Sequence, residues 1–142
     1  MLESCSKSEE IIYQLYGIHK EILSKFERCT GIGQSRLELL HKLYESGEIS
    51  QTALQKELNI DRAAVTRHLK QLEEKGIVFR RKNPSDNRIT FVSLTDEGHQ
   101  KIVAYREEKA RFIINVLKGF EDEERTILLD MLTRIQNNVE QI

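Results

Sequence analysis

The segment Arg80-Arg81-Lys82-Asn83-Pro84-Ser85-Asp86-Asn87-Arg88 sets four cations around a proline turn. A second set, Arg62, Arg67 and Lys70, lies just ahead of it at helical spacing. Side chains of this kind bind anions: an arginine grips a phosphate, or the O6/N7 edge of guanine, with two parallel hydrogen bonds. Their neighbours suit the same chemistry. Ala63 permits close approach, Thr66 or Ala63 can touch a thymine methyl, and Ser50, Gln51 and Thr52 offer hydroxyls and amides to a phosphate at a helix N-terminus.

The charge distribution supports a local anionic partner. The chain carries 22 Lys+Arg against 23 Asp+Glu, a net charge of −1, yet Asp61 to Arg88 alone carries +4 and the remainder −5. Catalytic signatures are absent: there is no HExxH, GxGxxG or CxxC and no glycine-rich phosphate loop. His19, His41, His68 and His99 lack metal-ligand spacing, so the sequence implies neither a metal nor another cofactor.

These groups need elements to hold them. At 142 residues, with 39% hydrophobic and 32% charged residues, one proline and no tryptophan, the chain fits a single, mainly α domain. Apolar spacing of three and four predicts helices over 8–28 and 34–44, with Gly47 ending the second. Ser50 N-caps a short helix through Leu58, Asn59-Ile60 makes a tight connection, and Asp61 caps a helix that Gly76 stops. Ile77–Arg81 and Ile89–Leu94 read as strands, and the mixed parity of the second fits a short hairpin better than a central strand. Thr95 caps a long helix to about Lys118, Gly119 breaks it, and Glu121–Glu124 opens a last helix through Val139.

A short helix, a tight turn, a second helix and a basic hairpin make a winged helix-turn-helix. Its second helix is slim enough for the major groove of B-DNA, and the hairpin can reach the adjacent minor groove. The expected partner is therefore double-stranded DNA. The terminal helices carry apolar residues that this core cannot cover: Phe112, Ile113, Val116, Leu117, Phe120, Leu128, Leu132, Ile135 and Val139 need a second surface, as a homodimer would give. No apolar run approaches a membrane span, and the N-terminus MLESCSKSEE has no signal-like segment. A cytoplasmic protein with reduced thiols is expected.

The stretch GEISQTALQKELNIDRAAVTRHLKQLEEKGIVFRRKNPSDNRITFVSLTDEG resembles the MarR family of transcription regulators. The resemblance rests on the Leu-Glu-x-Lys-Gly-Ile run at 72–77, the Asn-Pro-x-Asp-x-Arg wing at 83–88 and the Leu-Thr-x-x-Gly at 94–98. Asn83 departs from the family's usual Asp. The resemblance implies that Arg88 is the wing-tip arginine entering the minor groove, oriented by Asp86, with Arg80, Arg81 and Lys82 along the wing. It implies a lobe over 31–98 and dimerisation helices over 1–30 and 99–142. The function implied is a homodimeric repressor on a pseudo-palindromic operator, released by a small aromatic or phenolic effector.

Tyr16, His19, His41 and Tyr44 lie on helices that would border an effector cleft. The alternative release mechanism is thiol-based, since some family members sense oxidants through a cysteine near the start of the first helix, where Cys5 stands. An intrachain Cys5–Cys29 disulfide is excluded if that helix is continuous, because its ends are then about 30 Å apart. A rival of another class is a winged helix that docks on an acidic protein without specific DNA binding.

Overall fold

The structure, a computed structural model, describes the backbone of residues 2–142 and the side chains of residues 6–142. The chain divides into two compact units, Met1–Phe112 and Ile113–Ile142. Its elements in order are α1 (Leu2–Thr30), α2 (Gln34–Ser46), β1 (Ile49–Ser50), α3 (Gln51–Leu58), α4 (Arg62–Glu74), β2 (Val78–Asn83), β3 (Asp86–Leu94), α5 (Asp96–Val116) and α6 (Asp122–Glu140). The fold is mainly α with a small sheet, a winged helix-turn-helix flanked by long terminal helices.

The core of the first unit follows from apolar stripes. Leu37, Leu40 and Leu43 of α2, Leu54 of α3, and Val65, Leu69 and Leu72 of α4 are fully or almost fully buried, with Ile77, Val92 and Ile102. Each such side chain contributes about 1.5–3 kcal/mol by leaving water. Asn59 closes the helix-turn-helix in the left-handed conformation at φ 51°, which asparagine tolerates, and so ends α3 with only three residues before α4.

The sheet corrects the reading of Ile89–Leu94 as half of an isolated hairpin. The strand order is β1-β3-β2, all antiparallel, so β3 is central. The two-residue β1 places Ile49 opposite Val92 and Ser50 opposite Phe91. Strand pairing on both sides and packing on the helices leave Val92 with no exposed surface. β1 escaped the sequence because two residues carry no periodicity.

Thr95 ties the wing to α5. Its hydroxyl donates to the Gly76 carbonyl (2.6 Å) and accepts from the Gly98 amide (3.0 Å), while its own amide donates to the Ile77 carbonyl (3.0 Å). Gly98 permits this seat: a Cβ there would stand 2.1 Å from the Ile77 carbonyl oxygen. Two expected features differ. Asp61 occupies the N-cap position of α4, but its side chain caps nothing. Phe112, expected to need a partner, has one in its own chain, packing edge-on against Phe26 with ring centroids 5.4 Å apart.

The second unit is helical and open. α6 starts at the acidic run, as expected, and does so through a capping box between Glu121 and Glu124. No residue of α6 is buried.

Candidate nucleic-acid interface

The candidate surface is built on α3, α4 and the wing. Ser50 uses its hydroxyl to cap α3, accepting from the Ala53 amide at 3.1 Å, and Thr52 beside it is exposed. Gln51 reaches across to α4, where its Nε2 donates to the Thr66 hydroxyl at 3.1 Å. Thr66 in turn donates to the Arg62 carbonyl at 3.0 Å. Arg62, Ala63, Thr66, Arg67 and Lys70 are all exposed along α4, as the helical spacing predicts. Gln51, Thr52, Arg62, Thr66 and Arg88 line one cleft of about 270 Å³, with Val65, Gln55 and Thr90 completing it. The sequence reading missed these last two, although Gln55 lies one turn beyond Gln51 on α3 and Thr90 is the residue of Arg88's own parity on β3.

The four wing cations divide into two kinds. Arg80 makes a two-pronged ion pair with Glu73 (3.1 and 3.0 Å), and Arg81 does the same with Glu48 (2.9 and 2.6 Å). Both carboxyl groups are held below their ordinary pKa, chiefly by these hydrogen bonds. Arg81 also lies over the Phe91 ring, 4.9 Å from its centroid. These two arginines fasten the hairpin to α4 and to the β1 edge. Lys82, by contrast, makes no salt bridge among the described residues. Arg88 projects from the wing with its side chain 90% exposed, steadied by Asp86 at 3.0 and 3.1 Å. Asp86 also accepts from the Arg88 amide, and its carboxyl is pulled below its ordinary pKa by the Arg88 side chain first and the amide second. Asn83 accepts from the Ser85 amide at 2.9 Å, so the asparagine shapes the turn itself. Across α4, the side chains of Arg62, Arg67 and Lys70 are likewise without a salt bridge among the described residues; Arg62 shares the cleft of Arg88, whereas Arg67 lines a second one with Glu27, Arg36 and His68.

The candidate effector residues do not form one group. His41 and Tyr44 of α2 meet α5: Arg106 donates to His41 Nδ1 at 2.8 Å, lies 4.4 Å over the Tyr44 ring, and His99 packs edge-on to Tyr44 at 5.8 Å. Burial, then Arg106, then Lys109 push the His41 pKa below its ordinary value. The Arg106 Nε is buried without a hydrogen-bond partner. Tyr16 is instead exposed and lines a shallow groove on α1 with Ile12 and Tyr13, and His19 is exposed on the same helix. Arg106 and His99 were missed; their seven-residue spacing on α5, one face of a helix, was the available signal. The Cys5 side chain lies outside the described residues. Because α1 runs unbroken from Leu2 to Thr30, an intrachain Cys5–Cys29 disulfide is excluded, and Cys29 is an exposed free thiol. Among the described residues no cluster could hold a metal ion, and no helix is long and apolar enough to cross a membrane.

Comparison with known proteins decides the lineage. The MarR family model matches residues 32–90. Over 138 residues the chain is 57% identical to the HTH-type transcriptional regulator YdgJ of Bacillus subtilis (strain 168), covering 97% of this chain and 84% of that one. The chain belongs to the MarR family. Among solved structures, the transcriptional repressor CouR bound to a 23-mer DNA duplex is similar at TM-score 0.76 and 26% identity, covering 91% of this chain and 94% of that chain. Mutant MarR from E. coli complexed with operator DNA shares the fold at TM-score 0.74 and 22% identity, over 89% and 93% of the two chains. This MarR-family chain is thus a transcriptional regulator and not an enzyme.

Proposed function

We propose that this regulator is a homodimeric repressor that binds a pseudo-palindromic operator in double-stranded DNA. The observation that carries the reading is the set of exposed cations on α4 and the wing tip: Arg62, Arg67 and Lys70 make no salt bridge among the described residues, and Arg88, in the same cleft as Arg62, pairs with Asp86 alone. In this reading α4 lies in the major groove, where Arg67 and Arg62 face base edges and Ala63 and Thr66 approach closely. Arg88, aimed by Asp86, enters the minor groove, and Lys82, Lys70, Ser50, Gln51 and Thr52 line the phosphates. Arg80 and Arg81, already neutralised by Glu73 and Glu48, position the wing and add less to the contact.

The dimer rests on the terminal helices, where Ile11, Ile12, Tyr13 and Ile18 of α1 and Ile127, Leu129, Met131 and Val139 of α6 are exposed in the single chain. Two copies would hold their α4 helices about one DNA turn, roughly 34 Å, apart. Release is assigned to a small aromatic effector at His41 and Tyr44. Arg106, whose buried Nε has no hydrogen-bond partner among the described residues, would bring a positive charge to an anionic substituent on it. An effector that favours a spacing other than one turn draws the population off DNA.

Selection from random duplexes tests the reading. Enrichment of a two-fold motif is expected; recovery of none at moderate salt would reject it in favour of a protein-docking winged helix.

A further inference from the structure

Thr66 occupies the middle of the exposed face of α4, and the state of its hydroxyl limits what it can read. A threonine hydroxyl has one proton to give. Here that proton goes to the Arg62 carbonyl at 3.0 Å, one turn back in the same helix. One of the oxygen's two lone pairs accepts from Gln51 Nε2 at 3.1 Å. The oxygen is therefore held against the protein by bonds to two elements, α4 and α3, and has no donor left for a base. Guanine presents only acceptors, N7 and O6, in the major groove, so Thr66 has nothing to offer it. The side chain is nonetheless exposed. Beyond the oxygen's second lone pair, which could accept only from adenine N6 or cytosine N4, the remaining handle is the γ-methyl group, and the one methyl that B-DNA displays in the major groove is that of thymine.

We propose that Thr66 is an apolar specificity residue that selects thymine, by methyl-to-methyl contact, at one symmetric position of each operator half-site, and that Gln51 is the residue positioning it. The inference rests on the reading of α4 as the major-groove helix and sharpens it. Gln51 acts through Thr66: by occupying the hydroxyl, its amide helps hold the rotamer that leaves the methyl outward. The cost of losing the contact is set by the burial of one methyl, about a fourfold change in affinity.

The experiment uses the full-length protein and the operator recovered by selection. Each thymine is replaced singly by deoxyuridine, which removes only the 5-methyl group, and binding is measured by fluorescence anisotropy. One position per half-site should weaken about fourfold, and 5-methylcytosine placed there should bind better than cytosine. Thr66→Val keeps both branches of the side chain in the same positions but has no oxygen, so it should retain the thymine-to-uridine ratio. Thr66→Ser keeps the oxygen and loses the methyl, so its ratio at that position should fall to one. Gln51→Ala should lower the ratio without changing the thermal unfolding midpoint, which a merely structural role would move. A selected operator with no methyl-sensitive thymine overturns this proposal while leaving DNA binding standing. So does a ratio that survives Thr66→Ser, since Ala63 would then be the reader, or one that collapses in Thr66→Val. Failure to select any motif removes the major-groove reading together with the proposal.

Discussion

Leucine at helical spacing meets opposite fates in two parts of this molecule. In α2, Leu37, Leu39, Leu40 and Leu43 all have zero exposed surface. In α6, of the stripe Leu128, Leu132, Ile135 and Val139, Leu132 is 40% exposed and Val139 61%, the other two are half-buried, and no residue of the helix is buried. The stripe has the same chemical meaning in both helices, but α2 is surrounded by α3, α4, the sheet and the start of α5. The second unit spans only residues 113–142, far too few to enclose a core of their own. The contrast separates a lobe that completes itself from a helix whose apolar residues stay exposed in the single chain.

The largest expected effects lie in the self-completed lobe. Gly98→Ala drives a Cβ to 2.1 Å from the Ile77 carbonyl oxygen, a backbone atom that cannot step aside without breaking the Thr95 seat. A loss of about 3 kcal/mol or more is expected in urea unfolding. Leu40→Ala should cost about 2–5 kcal/mol by cavity formation. If either variant unfolded within about 0.5 kcal/mol of the parent, the lobe would not be the rigid body described. Leu129→Glu should behave in the opposite way, leaving helix content intact while weakening self-association by roughly a hundredfold in sedimentation equilibrium. An undiminished dimer would take α6 out of the interface and leave its exposed face unexplained.

What the sequence disclosed follows the same division. The stripes of α2, α4 and α6, the caps at Ser50 and Thr95, the acidic start of α6, and the wing between Lys82 and Arg88 were legible because each is a local pattern. Contacts across long separations were not. Glu48 lies 33 residues from Arg81, and nothing in its neighbourhood marks it as the partner that neutralises a wing arginine. Glu73 stands on the same helix as Arg62 and Arg67, yet the hairpin folds back to bring Arg80 to it. His41 and Arg106, 65 residues apart, show the same gap: each sits on a visible helix face, but only the packing of α2 on α5 joins them. Residue types identified the cations; tertiary structure decided which of them stay free.

That last distinction is itself testable within the wing. Arg88→Ala should weaken DNA binding about tenfold at every sequence and lower the salt slope by about one. Arg80→Ala removes a cation of equal formal charge, but one already paired with Glu73, so its salt slope should change less. Equal slopes for the two variants would show that DNA draws Arg80 out of its ion pair and would erase the division between anchoring and contacting arginines.

The smallest effect concerns the joint between the lobe and α5. A guanidinium can only donate, so the His41 Nδ1 facing Arg106 must accept, and the ring is neutral with its proton on Nε2. Protonation would set two donors face to face, in a half-buried site where Arg106 and Lys109 of α5 already oppose positive charge more strongly than Glu45 and Glu38 of α2 favour it. The folded pKa therefore lies below the ordinary 6.5. The unfolded chain binds the proton first as the pH falls, so stability is full above about 6.5, declines through the interval down to the folded pKa, and is level below it. His68, lowered first by burial and then by Arg67 and Arg36, adds a slope of the same sign from inside the lobe. His41→Gln, whose amide oxygen can still accept from Arg106, should flatten part of the decline in the urea midpoint between pH 7.5 and 5 and leave the share due to His68. An unchanged profile would mean that His41 titrates as freely as it does in the unfolded chain, and that the Arg106 contact does not hold α5 to the lobe in solution.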